Sequence, residues 1–194
     1  MSRAAGKLVM HRRSSGAAIA TLDAFFLMRC YGDVSPEDIN SSLETVEPLI
    51  AYRPEGSISI ILVDPTASFP SEATRRAALE VTRKTSATTS AMIMVVMGDG
   101  FWASAIRGML MTIGSLSQTT YMRKFLRYEE EAVDMAIDCI GESTIKYRAL
   151  LLSSLAQMKA VATSPPPASS KTPSPSKSPP LGTKAPPSSK RRAG

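Results

Sequence analysis

Two runs in this chain, Ser57–Asp64 (SISIILVD) and Ala91–Met97 (AMIMVVM), are short, nearly continuous stretches of aliphatic side chains. A strand that is apolar on both faces has to be covered on both faces. A parallel sheet layered with helices meets that demand, and an antiparallel sheet with one wet face does not. Helical patterns lie between and after the two runs, so the chain reads as α/β: a single mixed, mostly parallel sheet of four to five strands with covering helices.

The remaining elements follow from local signals. Ala17–Leu22 and Phe25–Cys30 are β-suited runs separated by Asp23-Ala24, which predicts a hairpin. Ser35-Pro36-Glu37-Asp38 supplies a capping hydroxyl, a first-turn proline and acids at the positive end of a helix dipole. Ile39, Leu43, Val46 and Ile50 then recur on one face, and Pro48 ends or kinks that helix. Ser71 caps a helix running from Glu72 to about Thr85. Gly98-Asp99-Gly100 leads into another from Phe101 to about Ser115, with Phe101, Ala105, Met109 and Ile113 stacked on one side. Tyr121–Leu126 reads as a further strand, Glu129 to Gly141 as a helix striped by Ala132, Val133, Ala136, Ile137 and Ile140, and Glu142–Ala162 as a last amphipathic helix.

Charge and composition divide the chain further. Residues 163–194 hold nine of the 14 prolines and six of the 23 Lys and Arg residues but no acid. Such a Pro/Ser/Lys-rich segment cannot bury enough apolar surface to offset the entropy of ordering, and is expected to be a disordered basic tail. Residues 1–13 carry four cations and no acid and read as a shorter disordered basic arm. Residues 14–162 have 13 bases against 17 acids, so the body is mildly acidic and does not describe a basic nucleic-acid-binding surface. The expected layout is an arm over 1–13, an α/β domain over 14–141, a C-terminal helix over 142–162 and a tail over 163–194. Cys30 and Cys139 are too few for a disulfide framework, and no apolar run reaches the length of a membrane span. Arg12-Arg13 ahead of Gly16–Leu22 has the outline of an export signal, but Asp23 and Arg29 interrupt it. The expected location is therefore cytoplasmic.

In order, the elements over Ala17–Gly141 are a hairpin, a helix, a buried strand ending in Asp, a capped helix, a second buried strand, a helix, a short strand and a closing helix. This order resembles the STAS superfamily, the anti-sigma-factor-antagonist type of domain. It is most similar to the divergent bacterial proteins grouped with CRAL-TRIO lipid-binding folds. The resemblance lies in element order rather than motif, and it implies a bacterial regulatory domain that works through protein–protein interaction. In regulatory members a strand ends in Asp, and a short loop leads to a phosphorylatable Ser at the start of the next helix, usually within an Asp-Ser-Ser-Gly-like signature. Asp64 and Ser71 occupy those two positions here, whereas Phe69-Pro70-Ser71-Glu72 stands in place of the signature.

The chemistry-bearing residues are sparse. His11 is the single histidine and falls in the basic arm, which argues against a histidine-dependent hydrolase. No cofactor or metal site is expected, because the acid run Glu129–Glu131 is explained as a helix N-terminus. Gly98-Asp99-Gly100 lacks both the third glycine of a dinucleotide fingerprint and a phosphate-binding lysine, and reads as a tight turn. Ser71, with Ser68 and Thr66 in the same loop, is the candidate phosphorylation or regulatory position. Arg75 lies one turn along, although an ordinary N-cap also explains Ser71. Asp64, Arg75, Phe101 and Trp102 are candidate contact residues. Met92, Met94, Met97, Met109 and Met111 either fill the core or line an adaptable apolar pocket.

The expectation is a non-enzymatic regulatory or protein-interaction module of STAS-like type, switched at the Thr66–Ser71 loop and bound by another protein. The alternative is an apolar-ligand (lipid) carrier of CRAL-TRIO type, and a weaker one is polyanion binding through the basic tail. The last helix either forms a homodimer or packs on the sheet.

Overall fold

The computed structural model describes residues 6–51, 53–141 and 145–164. Its strands are β1 (Val9–Arg13), β2 (Ala17–Leu22), β3 (Phe25–Cys30), β4 (Ser57–Val63), β5 (Thr89–Val96) and β6 (Met122–Leu126). Its helices are α1 (Pro36–Val46), α2 (Glu72–Lys84), α3 (Gly100–Ser117), α4 (Glu129–Asp138) and α5 (Ile145–Thr163). The strands form one mixed sheet in the order β1-β2-β3-β4-β5-β6. The β1–β2 and β2–β3 pairs are antiparallel, and the other three pairs are parallel.

This order explains the layering. The crossovers β3 to β4, β4 to β5 and β5 to β6 all step in one direction, so connections of the same hand leave α1, α2 and α3 on one face. The later helices α4 and α5 cover the other. Two apolar layers result. Leu22, Phe25, Leu27, Ile58, Ile60 and Ile93 meet Val133, Ile137, Leu151 and Leu155 of α4 and α5. Ile19, Phe26, Met28, Val63 and Val96 meet Val46, Ala103 and Ile106 on the crossover side.

The sheet has six strands rather than four to five, and the extra one lies in the segment expected to be a disordered arm. Val9–Arg13 pairs with β2, with a register shift at His11. Its charge is compensated from a distance: Arg12 Nε donates to Asp38 Oδ1 at 2.7 Å, linking β1 to the start of α1. Residues 1–5 and the expected tail from residue 165 onward lie outside the described residues, as does 142–144 ahead of the last helix. That helix extends to Thr163, one residue into the expected tail.

The hairpin turn falls at Asp23-Ala24, with Leu22 opposite Phe25 and Asp23 in the left-handed region at φ 50°. Ser35 caps α1 as the sequence indicates. Its side chain accepts from the Asp38 backbone N–H, and the Asp38 carboxylate accepts from the Ser35 N–H, a reciprocal capping box. α1 stops at Val46, and Pro48 falls within a 3-10 turn over Glu47–Ala51.

α3 is rotated from its expected phase. The buried side of α3 carries Ala103, Ile106, Gly114 and Ser117, while Phe101 is 89% exposed. In α5 the buried residues are Leu151, Ser154, Leu155 and Met158, and this face is used on the sheet. Arg148 Nε donates to Asp134 Oδ1 at 2.6 Å and ties α5 to α4.

Asp38 is the polar residue on which the N-terminal part depends. It is 1% exposed and also accepts from Ser14 Oγ at 3.0 Å. Burial alone would raise its carboxyl pKa, but the hydrogen bonds from Arg12, Ser35 and Ser14 win and hold it below the usual range. A depressed folded pKa contributes stability that is complete above the unfolded value of about 3.9 and is lost as pH falls through the folded value. In urea titrations, the unfolding midpoint of the intact protein should therefore drop more steeply below about pH 4 than that of Asp38→Asn. Parallel curves would remove Asp38 from this role.

Candidate functional site

At the carboxyl ends of the parallel strands, one buried cation organises the edge. Arg29 of β3 is 1% exposed. Its Nε donates to Asp64 Oδ2 at 3.0 Å, and its Nη2 lies 2.8 Å from Asp64 Oδ1. Its Nη1 donates to Glu129 Oε1 at 3.0 Å, at the first residue of α4. Asp64, placed by sequence at a strand end next to a switch loop, is thus engaged by Arg29 under α4 and not by Ser71. The triad locks β3, the end of β4 and α4 together. Sequence reasoning misses Arg29 as a site residue, although it is the one charge in the strand FFLMRC.

The loop after Asp64 is fastened to the segment following β3. Thr66 Oγ1 donates to the Tyr31 carbonyl at 2.9 Å, and the Ser68 N–H donates to the Gly32 carbonyl at 2.9 Å. Ser71 Oγ accepts from the Thr74 N–H at 3.1 Å. Thr74 Oγ1 donates to the Val34 carbonyl at 3.0 Å, so the Ser71 hydroxyl donates to Thr74 Oγ1, 2.9 Å away. Ser71 is exposed, but its oxygen serves as an N-cap. Arg75 Nη1 is turned to the Pro70 carbonyl at 3.2 Å. Phe101 projects from the start of α3, whereas Trp102 is half-buried against the crossover-side layer.

Beneath this loop is the most distinctive feature of the molecule. An apolar cavity of about 120 Å³ lies between the sheet and the crossover helices. Its floor includes Met28, Ile61, Val63, Met92 and Met94, and α3 contributes Ile106, Met109 and Leu110. Its cause is a deficit of side-chain volume. α2 faces it with Thr74, Ala78 and Thr82, and with Arg75, whose guanidinium turns away to the Pro70 carbonyl; α2 is held mainly by α1 and α3 rather than by the sheet. Short side chains on a suspended helix leave the space unfilled. Accordingly, Ile61 is the one residue of the central strand β4 that is half-buried rather than buried. Ala67, Ser68 and Pro70 of the loop form part of the wall.

Of the methionines marked in the sequence, Met92, Met94 and Met109 line the cavity. Met97 packs against the α4 and α5 layer instead, and Met111 is exposed. Cys30 also lines the cavity. Burial, then the charges of Asp64 and Asp38, push its thiol pKa up to about 12, so it is a protonated apolar wall group at neutral pH.

Other candidates resolve into structural roles. Gly98 and Gly100 take positive φ angles of 85° and 82°, making the tight turn that Gly98-Asp99-Gly100 suggests. Asp99 provides no side-chain cap and lies 3.4 Å from Arg127. His11, in β1 rather than in a disordered arm, pairs with Thr21 at 2.7 Å across the strand pair. Among the described residues no group of three or more His, Cys, Asp or Glu side chains is placed to hold a metal. Among them, too, no helix is long and apolar enough to cross a membrane.

Fold and cavity together define an α/β domain with one mixed six-stranded sheet and an apolar chamber on its crossover side. The sequence matches no family model, and neither the curated proteins nor the solved structures provide a significant match.

Replacing Arg29 with Met would leave Asp64 and Glu129 facing each other without a cation. Urea denaturation should show Arg29→Met destabilised by about 3–5 kcal/mol. A loss below about 1 kcal/mol would mean that the triad is not what holds α4 to the sheet.

Proposed function

We propose that this chain is a non-enzymatic regulatory binding module whose cavity takes a small apolar ligand and whose Thr66–Ser71 loop reports occupancy to a partner protein. One observation carries the reading: the loop marked as a switch by sequence supplies Ala67, Ser68 and Pro70 to the wall of the apolar chamber. A ligand seated against Met92 and Met94 would touch the same walls that position the loop. Differential contact of this kind is what a ligand needs to bias a surface.

Size sets the ligand class. An engineered cavity of about 150 Å³ lined by aliphatic and aromatic groups accepts benzene, whereas sites for drug-sized ligands span about 300–1,000 Å³. At about 120 Å³ the chamber suits a benzene-sized group rather than a whole lipid. This narrows the carrier alternative to a small molecule or to the end of a chain. Methionine side chains, unbranched and polarisable, adjust to such guests at low cost. The STAS-like element order supports a regulatory role for the same surface, and the CRAL-TRIO side of that resemblance supports apolar binding.

Titrating the full chain with toluene while recording methionine methyl NMR signals tests the reading. Saturable shifts are expected at Met28, Met92, Met94 and Met109, with amide shifts across Ala67–Ser71. Ala78→Leu should fill the chamber, weaken toluene binding at least tenfold and raise stability by about 0.5–2 kcal/mol. Toluene that shifts none of these methyls, or that binds Ala78→Leu as tightly as the unaltered chain, would refute it.

A further inference from the structure

The cavity lining is mostly apolar but carries two arginines: Arg75 of α2 on the loop side, whose Nη1 donates to the Pro70 carbonyl at 3.2 Å, and Arg123 on the β6 side. Arg123 pairs with Met92 in the β5–β6 register, which puts its side chain on the same face of the sheet as the methionine floor. The Arg123 guanidinium is only partly satisfied. Nη2 donates to Thr119 Oγ1 at 2.8 Å and to the Tyr121 hydroxyl at 3.2 Å, and the guanidinium carbon lies 5.3 Å from the Tyr121 ring centre. Nε is buried with no hydrogen-bond partner. Among the described residues no carboxylate lies within ion-pairing distance of Arg123, whereas the buried Arg29 holds two.

The backbone is shaped around this group. A Cβ placed on Gly114 of α3 would overlap Arg123 Nη1 and crowd its Cζ. Glycine at 114 therefore admits the guanidinium between α3 and the sheet. Arg123 is half-buried; withdrawing even part of a cation from water without an acid costs free energy, and charges so placed are ordinarily matched by a counter-charge or a ligand. Arginine also presents its donors in a planar fork that fits a carboxylate.

We propose that the cavity binds a small organic carboxylate, its apolar body of roughly benzene size lying against Met92, Met94 and Met109 and its carboxylate accepting from Arg123. This rests on the reading of the chamber as an apolar-ligand site and names the class of ligand. It assigns Arg123 and Gly114 as specificity-determining residues: Arg123 supplies the charge, and Gly114 makes the room for it.

The experiment uses the full chain with two probes, benzoate and toluene, followed by calorimetry and methionine methyl NMR. Both probes should perturb Met92, Met94 and Met109. Arg123→Met should weaken benzoate at least tenfold and leave toluene within twofold, while Arg123→Lys, which keeps the charge but not the planar fork, should restore only part of the lost benzoate affinity. Gly114→Ala, which displaces the guanidinium without removing it, should cause the same selective loss and serves as the second variant if Arg123→Met does not fold. Toluene binding without benzoate binding would overturn the carboxylate assignment and leave the apolar chamber standing. The carboxylate assignment fails equally if benzoate is indifferent to both Arg123→Met and Gly114→Ala, or shifts only residues outside the cavity. Failure of both probes would overturn the chamber reading as well.

Discussion

The constraint that governs this molecule is that β3, β4 and β5 are apolar on both faces and must be sandwiched. Three crossovers in one direction commit α1, α2 and α3 to one side. The other side is left for α4 and α5, which arrive only after the last strand. Arg29 is the charge this sandwich encloses, and its two carboxylates come from the end of β4 and the start of α4. The ion triad thereby connects the sheet to the layer that closes it last. A buried pair of this kind is no guarantee of stability, but once present each partner depends on the others.

On the crossover side the same constraint is met incompletely. α1 and α3 approach the strands, while α2 spans the gap between them on Thr74, Ala77, Ala78 and Thr82. Interiors are normally packed to the density of organic crystals, so an unfilled apolar volume beside the central strand forfeits contacts its walls would otherwise make. The chamber, the loop that borders it and the guanidinium at its far wall form one continuous region. That continuity makes a binding role for this face more economical than separate roles for each part.

Much of the architecture can be read from the sequence because its signals are local. The capping box at Ser35 and Asp38, the N-cap at Ser71, the two-residue turn at Asp23-Ala24 and the two apolar strands are each decided within a few residues. What escapes such a reading is non-local. β1 reads as a charged arm because the groups that accommodate it, Asp38 and β2, are remote in sequence, and edge strands commonly carry basic residues. Spacing misplaces the phase of α3 because apolar side chains surround it: Phe101, Met111 and Leu116 are exposed, so no single stripe stands out. The signal for Arg29 is present, a lone charge in a strand otherwise fit for burial. The methionines point towards a pocket, yet its existence depends on missing volume on α2, which no one residue announces.

Every functional proposal for this face requires α2 to be suspended above the sheet, leaving an accessible apolar void. A crystal structure of the full chain determined under xenon pressure tests that requirement most directly, since xenon occupies dry apolar cavities without needing polar partners. A xenon site is expected between Ile61, Met92 and Met94 on the floor and Ala78 above. A structure in which α2 lies down on β4, with Met92 and Met109 closing the space and no xenon between them, would contradict it.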